Sequence, residues 1–168
     1  PYTTLFRSEP MANKSGIHGI RYEYNEKNQQ IMIAYYDVTD ARMMIADEYS
    51  FLRRTYDEYG NVNEESYFGT SEEPVLRKGG YHMIRRVYQA KDQLLEATYY
   101  GTDGEPILLP GGYWKEGREL DENNQIIGLS YYGTDGEPIL LPGGYWKEGR
   151  ELDEKNQIIG LSYYGTDG

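Results

Sequence analysis

Two pairs of neighbouring aromatics, Tyr113-Trp114 and Tyr145-Trp146, are the residues best suited to hold a ligand. Flat rings set at intervals along a ribbon can stack on sugar faces, and repetition raises avidity without strong single sites. The competing role is core packing, which a chain short of aliphatic residues favours. Carboxylates are plentiful in Asp103, Glu105, Glu119, Asp121 and Glu122, and a glycosidase needs two of them at a defined separation. These recur in identical copies, so solvated turn charge is expected rather than one asymmetric cleft. Gly101-Thr102-Asp103-Gly104-Glu105 lacks the alternating ligands of a calcium loop. His18 and His82 occupy the same phase of a repeat as Ser50, Trp114 and Trp146, so both are expected to be ordinary strand residues. Nucleophile-elbow, phosphate-loop and zinc-protease motifs are missing from the sequence. No catalytic residue, metal or cofactor is therefore expected, and the chain reads as non-enzymatic.

One charged file stands out. Arg54, Arg86, Arg118 and Arg150 recur at one phase, with Tyr22 in their place in the first unit. Cross-strand pairing with Glu116, Glu119 and Glu148 on a solvated face is the expected role, worth a few tenths of a kcal/mol each. An anion-binding track is the alternative.

The elements that carry these residues follow from composition. Seventeen Lys and Arg against 28 Asp and Glu leave a net charge of −11, which disfavours nucleic acid and anionic membrane surfaces as partners. No stretch approaches the ~18 apolar residues of a spanning helix. With no cysteine, disulfides, thiolate zinc sites and cysteine nucleophiles are excluded. Leu, Ile, Val and Phe together make up less than a fifth of the chain, a share that with such charge normally signals disorder. The 19 tyrosines argue for a folded chain instead. They supply large buriable rings and a strong strand preference.

The chain is a tandem repeat. Residues 99–130 recur as 131–162 with one change, Asn123 to Lys155, so the period is 32. Earlier units hold the phase more loosely: 9–34 (partial), 35–66 and 67–98 precede the two near-identical copies, and 163–168 begin another. Each unit reads as two strands, such as Tyr113 to Leu120 and Ile126 to Tyr132, joined by a five-residue polar loop. The tight turn Gly101-Thr102-Asp103-Gly104 follows, and a short third strand or extended arm, Pro106 to Leu109, leads to the next breaker. The segment 40–50 could form a helical turn but aligns with this arm. Three aromatic rows recur: Tyr35, Tyr67, Tyr99, Tyr131 and Tyr163; Tyr36, Phe68, Tyr100, Tyr132 and Tyr164; and Tyr49, Tyr81, Tyr113 and Tyr145. Adjacent strand residues face opposite sides, so the Tyr-Tyr pair puts one ring on each.

Tyr56-Asp57-Glu58-Tyr59-Gly60-Asn61-Val62 resembles the signature of the YD-type (Rhs-like) repeats of bacterial surface and toxin-delivery proteins. That resemblance implies β-hairpin strips, which in large members wrap into a shell. Tyr99-Tyr100-Gly101-Thr102-Asp103-Gly104, followed by Gly112-Tyr113-Trp114, is similar to the aromatic repeats of cell-wall and glucan-binding proteins. Pro1 to Ser8 look like a translated sequencing adapter, which would make the chain a fragment of a longer reading frame.

These readings converge on an all-β array of antiparallel hairpins, stacked into an elongated open strip or a β-solenoid. The expected function is a repeat region of a secreted or surface-attached bacterial protein, extracellular or at the cell surface. It would serve as a spacer or as a module binding a glycan or another protein. The alternative is a shell or scaffold segment attached to a toxin or enzyme domain elsewhere.

Overall fold

The computed structural model describes residues 11–167. The octet read as adapter-derived lies outside them, as does Pro10. Five hairpins follow one another: β1 (Gly19–Tyr24) with β2 (Gln30–Tyr36), β3 (Phe51–Tyr56) with β4 (Val62–Phe68), β5 (Met83–Ala90) with β6 (Gln93–Tyr100), β7 (Lys115–Leu120) with β8 (Ile126–Tyr132), and β9 (Lys147–Leu152) with β10 (Ile158–Tyr164). All ten strands join one antiparallel sheet in chain order. The open strip is therefore the architecture. The solenoid alternative is overturned, because each hairpin bonds to the edge left by the previous one and the sheet neither closes nor curls.

Pairing is long within a hairpin and short between hairpins. Within β3–β4 the register runs from Phe51↔Phe68 to Tyr56↔Val62. Between β2 and β3 it covers only Met32↔Arg53 to Ala34↔Phe51. The chain between hairpins is occupied instead by an arm whose apolar residues pack on one face. In the arm of the third unit, Gly69 N–H donates to Glu73 O and Val75 N–H to Tyr67 O, and Arg77 N–H donates to Tyr81 O, at 2.9, 3.2 and 3.0 Å. The third strand expected at Pro106 to Leu109 is such an arm, held to β6 by a single Tyr100↔Pro106 bridge. Residues 40–50 form the same arm and no helical turn. Its proline or arginine bridge fixes the arm's start, and its alternate residues Ile45, Val75, Ile107 and Leu109 pack on the core.

Three positions per unit need left-handed backbone, and they set the turns. The hairpin loop uses Asn28, Gly60, Asp92, Asn124 and Asn156. The turn into the arm uses Asp40, Glu72, Gly104 and Gly136, and the turn out of it Gly16, Glu48, Gly80, Gly112 and Gly144. Gly, Asn and Asp adopt this region most readily, and Glu48 and Glu72 hold it at a steric cost. The loops are closed by an Asx turn: Asp121 Oδ1 accepts from the N–H groups of Asn123 and Gln125 at 2.9 and 2.8 Å, as Asn25, Asp57 and Asp153 do in their units.

Candidate functional site

The two faces of the sheet differ in chemistry. On the arm-covered face, nine tyrosines form one uninterrupted ladder from Tyr35 through Tyr49, Tyr67, Tyr81, Tyr99, Tyr113, Tyr131 and Tyr145 to Tyr163. Successive ring centroids lie 4.7–6.4 Å apart, tilted by 49–75°. Edge-to-face contacts of this kind add ~0.5–1.5 kcal/mol each beyond area burial. Two of the sequence rows therefore interleave: a strand-end tyrosine alternates with one entering the next hairpin. Burial pushes the phenols of Tyr49, Tyr67 and Tyr99 upward and that of Tyr131 to about 12.

A polar network interrupts the apolar surroundings of this ladder near its N-terminal half. Tyr67 is 2% exposed, and its hydroxyl donates to the Glu65 carboxylate. Glu65 also accepts from Arg54 Nε at 2.5 Å. Arg77 takes the arm position filled by Ile45, Leu109 and Leu141 in other units. It pairs with Asp47, and its guanidinium stands 5.0 and 5.5 Å from the Tyr67 and Tyr81 ring centroids.

The arginine file lies on the same face beyond the arms. Arg54 pairs across the strands with Glu65, whereas Arg118 and Arg150 pair along their own strands with Glu116 and Glu148 at 2.8 and 2.7 Å. Glu119 does not join them. It sits on the opposite face and pairs with Lys147 at 2.5 Å. Arg86 has no carboxylate within 4.0 Å among the described residues, because Ala97 stands opposite it where Glu65 faces Arg54, and Ile84 stands two residues before it where Glu116 precedes Arg118. It lines a groove of about 420 Å³ with Arg54, Asn61, Glu65, Tyr88 and Lys91.

The opposite face carries aromatics under cations and is itself partly covered, since Arg42 at the start of an arm stands 4.5 Å from the Phe51 ring centroid and Phe51 is fully buried. Arg21 lies over Tyr36, Arg53 over Phe68 and Arg85 over Tyr100, at 4.0, 5.3 and 4.8 Å from the ring centroids. In the last two units glycine holds that phase, as Gly117 and Gly149, and lysine appears two residues earlier on the same face. Lys115 Nζ stands 4.2 Å from the Tyr132 centroid. Two residues along a strand keep the same face, so the cation moves without leaving it. Each such contact is worth ~0.5–1 kcal/mol where exposed.

The four aromatics singled out from sequence are thus divided. Tyr113 and Tyr145 are half-buried rungs of the ladder. Trp114 and Trp146 are half-buried on the opposite face, edge-on to Tyr100 and Tyr132 at 6.1 and 5.8 Å. Trp146 Nε1 donates to Gly165 O at 2.8 Å, while Trp114 Nε1 is buried without a partner. No Tyr-Trp pair forms a joint platform; the tryptophans share theirs with Tyr100 and Tyr132. His82 is buried, donates from Nδ1 to Tyr67 O at 2.7 Å and stands edge-on to Phe68 at 5.2 Å. Its nitrogen is spent on the backbone. Among the described residues no cluster of His, Asp or Glu is arranged to hold a metal ion.

The cation row was legible as Arg21, Arg53 and Arg85 at one phase, a signal parallel to the Arg54 file. The Glu65–Tyr67–Arg77 network carried no such signal, because it belongs to one unit only. A scan against models of known protein families finds no match to the chain. No curated protein sequence matches it either.

Proposed function

We propose that this chain is a non-enzymatic spacer region of a secreted or surface-attached bacterial protein, whose face opposite the tyrosine ladder presents aromatic and cationic side chains to a glycan or protein partner. The observation that carries the reading is the unbroken tyrosine ladder. Every rung touches only the rungs before and after it, so length is set by copy number and no unit needs a distant partner. Each unit adds two strands, ~9.6 Å at the usual strand spacing. Variants with one unit more or fewer than the five should change their maximum dimension in small-angle scattering by that increment. A dimension that stays constant as units are added would sink the spacer reading.

The binding half of the proposal rests on Trp114 with Tyr100 and Trp146 with Tyr132, edge-on aromatic pairs on the face opposite the tyrosine ladder. Glycan-array binding that disappears in the Trp114→Ala/Trp146→Ala chain is the expected result. Binding unchanged in that double variant would remove these residues from the site.

The shell or scaffold alternative has one observation in its favour. In the YD-like segment, Tyr56 hydroxyl donates to Gln30 O of the previous hairpin at 2.7 Å, and Asn61 reaches the next. The motif residues therefore act as fasteners between hairpins, the role a continuous wall needs. Sequencing the complete gene tests this reading, since a frame with no further domain contradicts it.

A further inference from the structure

The ladder joins nine phenols, each a redox-active group, with no gap between Tyr35 and Tyr163. We propose that it is a one-electron relay, which carries an oxidising equivalent along the sheet and collects it on Tyr67. Phenol oxidation is favourable only when the proton leaves with the electron, so the trap must be a rung whose hydroxyl already faces a base. Among the described residues, Tyr67 is the one rung whose hydroxyl donates to a carboxylate, that of Glu65.

The step balances as follows. A one-electron oxidant, of the metal-polypyridyl or peroxidase class, removes an electron from an exposed end rung such as Tyr163, which is 54% exposed. Neighbouring rings refill the hole in turn, each as a short-lived, uphill radical cation that keeps its O–H proton, until Tyr67 supplies the electron. Its O–H bond breaks, the proton passes to Glu65 Oε1, and a neutral tyrosyl radical remains beside a protonated carboxyl. The oxidant has gained one electron. Arg77, whose Nη1 lies 3.4 Å from the Tyr67 hydroxyl, opposes a positively charged ring and so favours proton loss. Burial shields the product from coupling with a second radical. Tyr67 on β4 and Tyr163 on β10 are six strand spacings apart, ~29 Å. That is beyond one tunnelling step, whereas each ring-to-ring hop crosses a contact.

The absence of native cysteine permits a site-specific test. A ruthenium polypyridyl photosensitiser is attached through Leu161→Cys, a position 48% exposed and two residues from Tyr163. It is photo-oxidised with an external quencher, and the tyrosyl radical is followed by transient absorption and electron paramagnetic resonance. Peptide mapping after trapping locates the oxidised residue. The expected product is oxidised Tyr67. Tyr113→Phe keeps the ring contacts and removes the oxidisable hydroxyl halfway along, so oxidation at Tyr67 should be lost while circular dichroism is unchanged. Tyr131→Phe, at the next rung toward the sensitiser, serves as a second break if the first disturbs the fold. Glu65→Gln should leave the radical on rungs near the sensitiser. Oxidation confined to Tyr145 and Tyr163 in the unbroken ladder, or undiminished at Tyr67 after the Tyr113→Phe break, would overturn the relay.

Discussion

The side-chain oxygen of Asn61 accepts a hydrogen bond from the backbone N–H of Asp92 at 2.8 Å, tying the tip of one hairpin to the tip of the next. The same amide donates to Ala90 O at 3.1 Å and to Asp57 Oδ2 at 2.9 Å, and Asn61 is 4% exposed. All three bonds need an amide, with one acceptor and two donors. Asn61→Ala should cost about 1–3 kcal/mol in urea denaturation, the penalty of stranding buried partners. Asn61→Asp should cost at least as much, because a carboxylate cannot donate to Ala90 O and repels Asp57. An Asn61→Asp chain as stable as its parent would show that the two tips are not coupled.

Position along the ladder should decide the weight of a rung. Tyr67 is 2% exposed and touches Tyr49 and Tyr81, whereas Tyr163 is 54% exposed and touches Tyr145. Tyr67→Ala is expected to lose about 3–5 kcal/mol, and Tyr163→Ala under about 1 kcal/mol. Equal losses in chemical denaturation would mean that the array does not gain its stability rung by rung.

Alkali should unfold the protein through this ladder. Burial raises the phenols of Tyr49, Tyr67, Tyr99 and Tyr113 above their ordinary value of 10.0, and that of Tyr131 to about 12. Their contribution is complete below pH 10 and is lost as pH climbs through the folded values, since the unfolded chain releases protons that the fold retains. Tyrosinate absorbance should therefore rise in two stages. The later stage, from the buried rungs Tyr49, Tyr67, Tyr99 and Tyr131, should coincide with loss of the strand signal in circular dichroism. A single smooth rise with strand signal intact would contradict this.

Glu48 adopts a left-handed conformation with φ of 67°, at the phase where Gly80, Gly112 and Gly144 stand in later units. A β-carbon there is strained by roughly 1–2 kcal/mol, partly offset by the greater freedom of glycine in the unfolded chain. Glu48→Gly should raise stability by about 0.5–1 kcal/mol, read as a higher Tm. The reverse change, Gly112→Glu, should lower it by a similar amount.

The period of 32, the two strands per unit and the positions of the turns were legible because they depend on local rules. Asn, Asp and Gly recur where backbone must turn left-handed, and the aromatic rows recur where strands must pair. The opposite placement of Tyr99 and Tyr100 follows from strand alternation alone. Two things were not legible. Tyr113 and Trp114 precede β7, so their division between faces depends on how the arm re-enters the sheet. The fusion of two tyrosine rows into one ladder depends on Tyr81 being delivered between Tyr67 and Tyr99 by an arm folded over the face.

What the sequence determined by itself is the unit: its length, its hairpin, its three left-handed residues and its supply of rings. The tertiary structure decided how units join. Continuous edge pairing in chain order produced an open strip instead of a coil, and it set the apolar arm residues Ile45, Val75, Ile107 and Leu109 against one face. That choice is non-local, because it depends on which strand edge is free when the next hairpin arrives. It buries the tyrosines of one face in a ladder and leaves the other face to cations over aromatic rings.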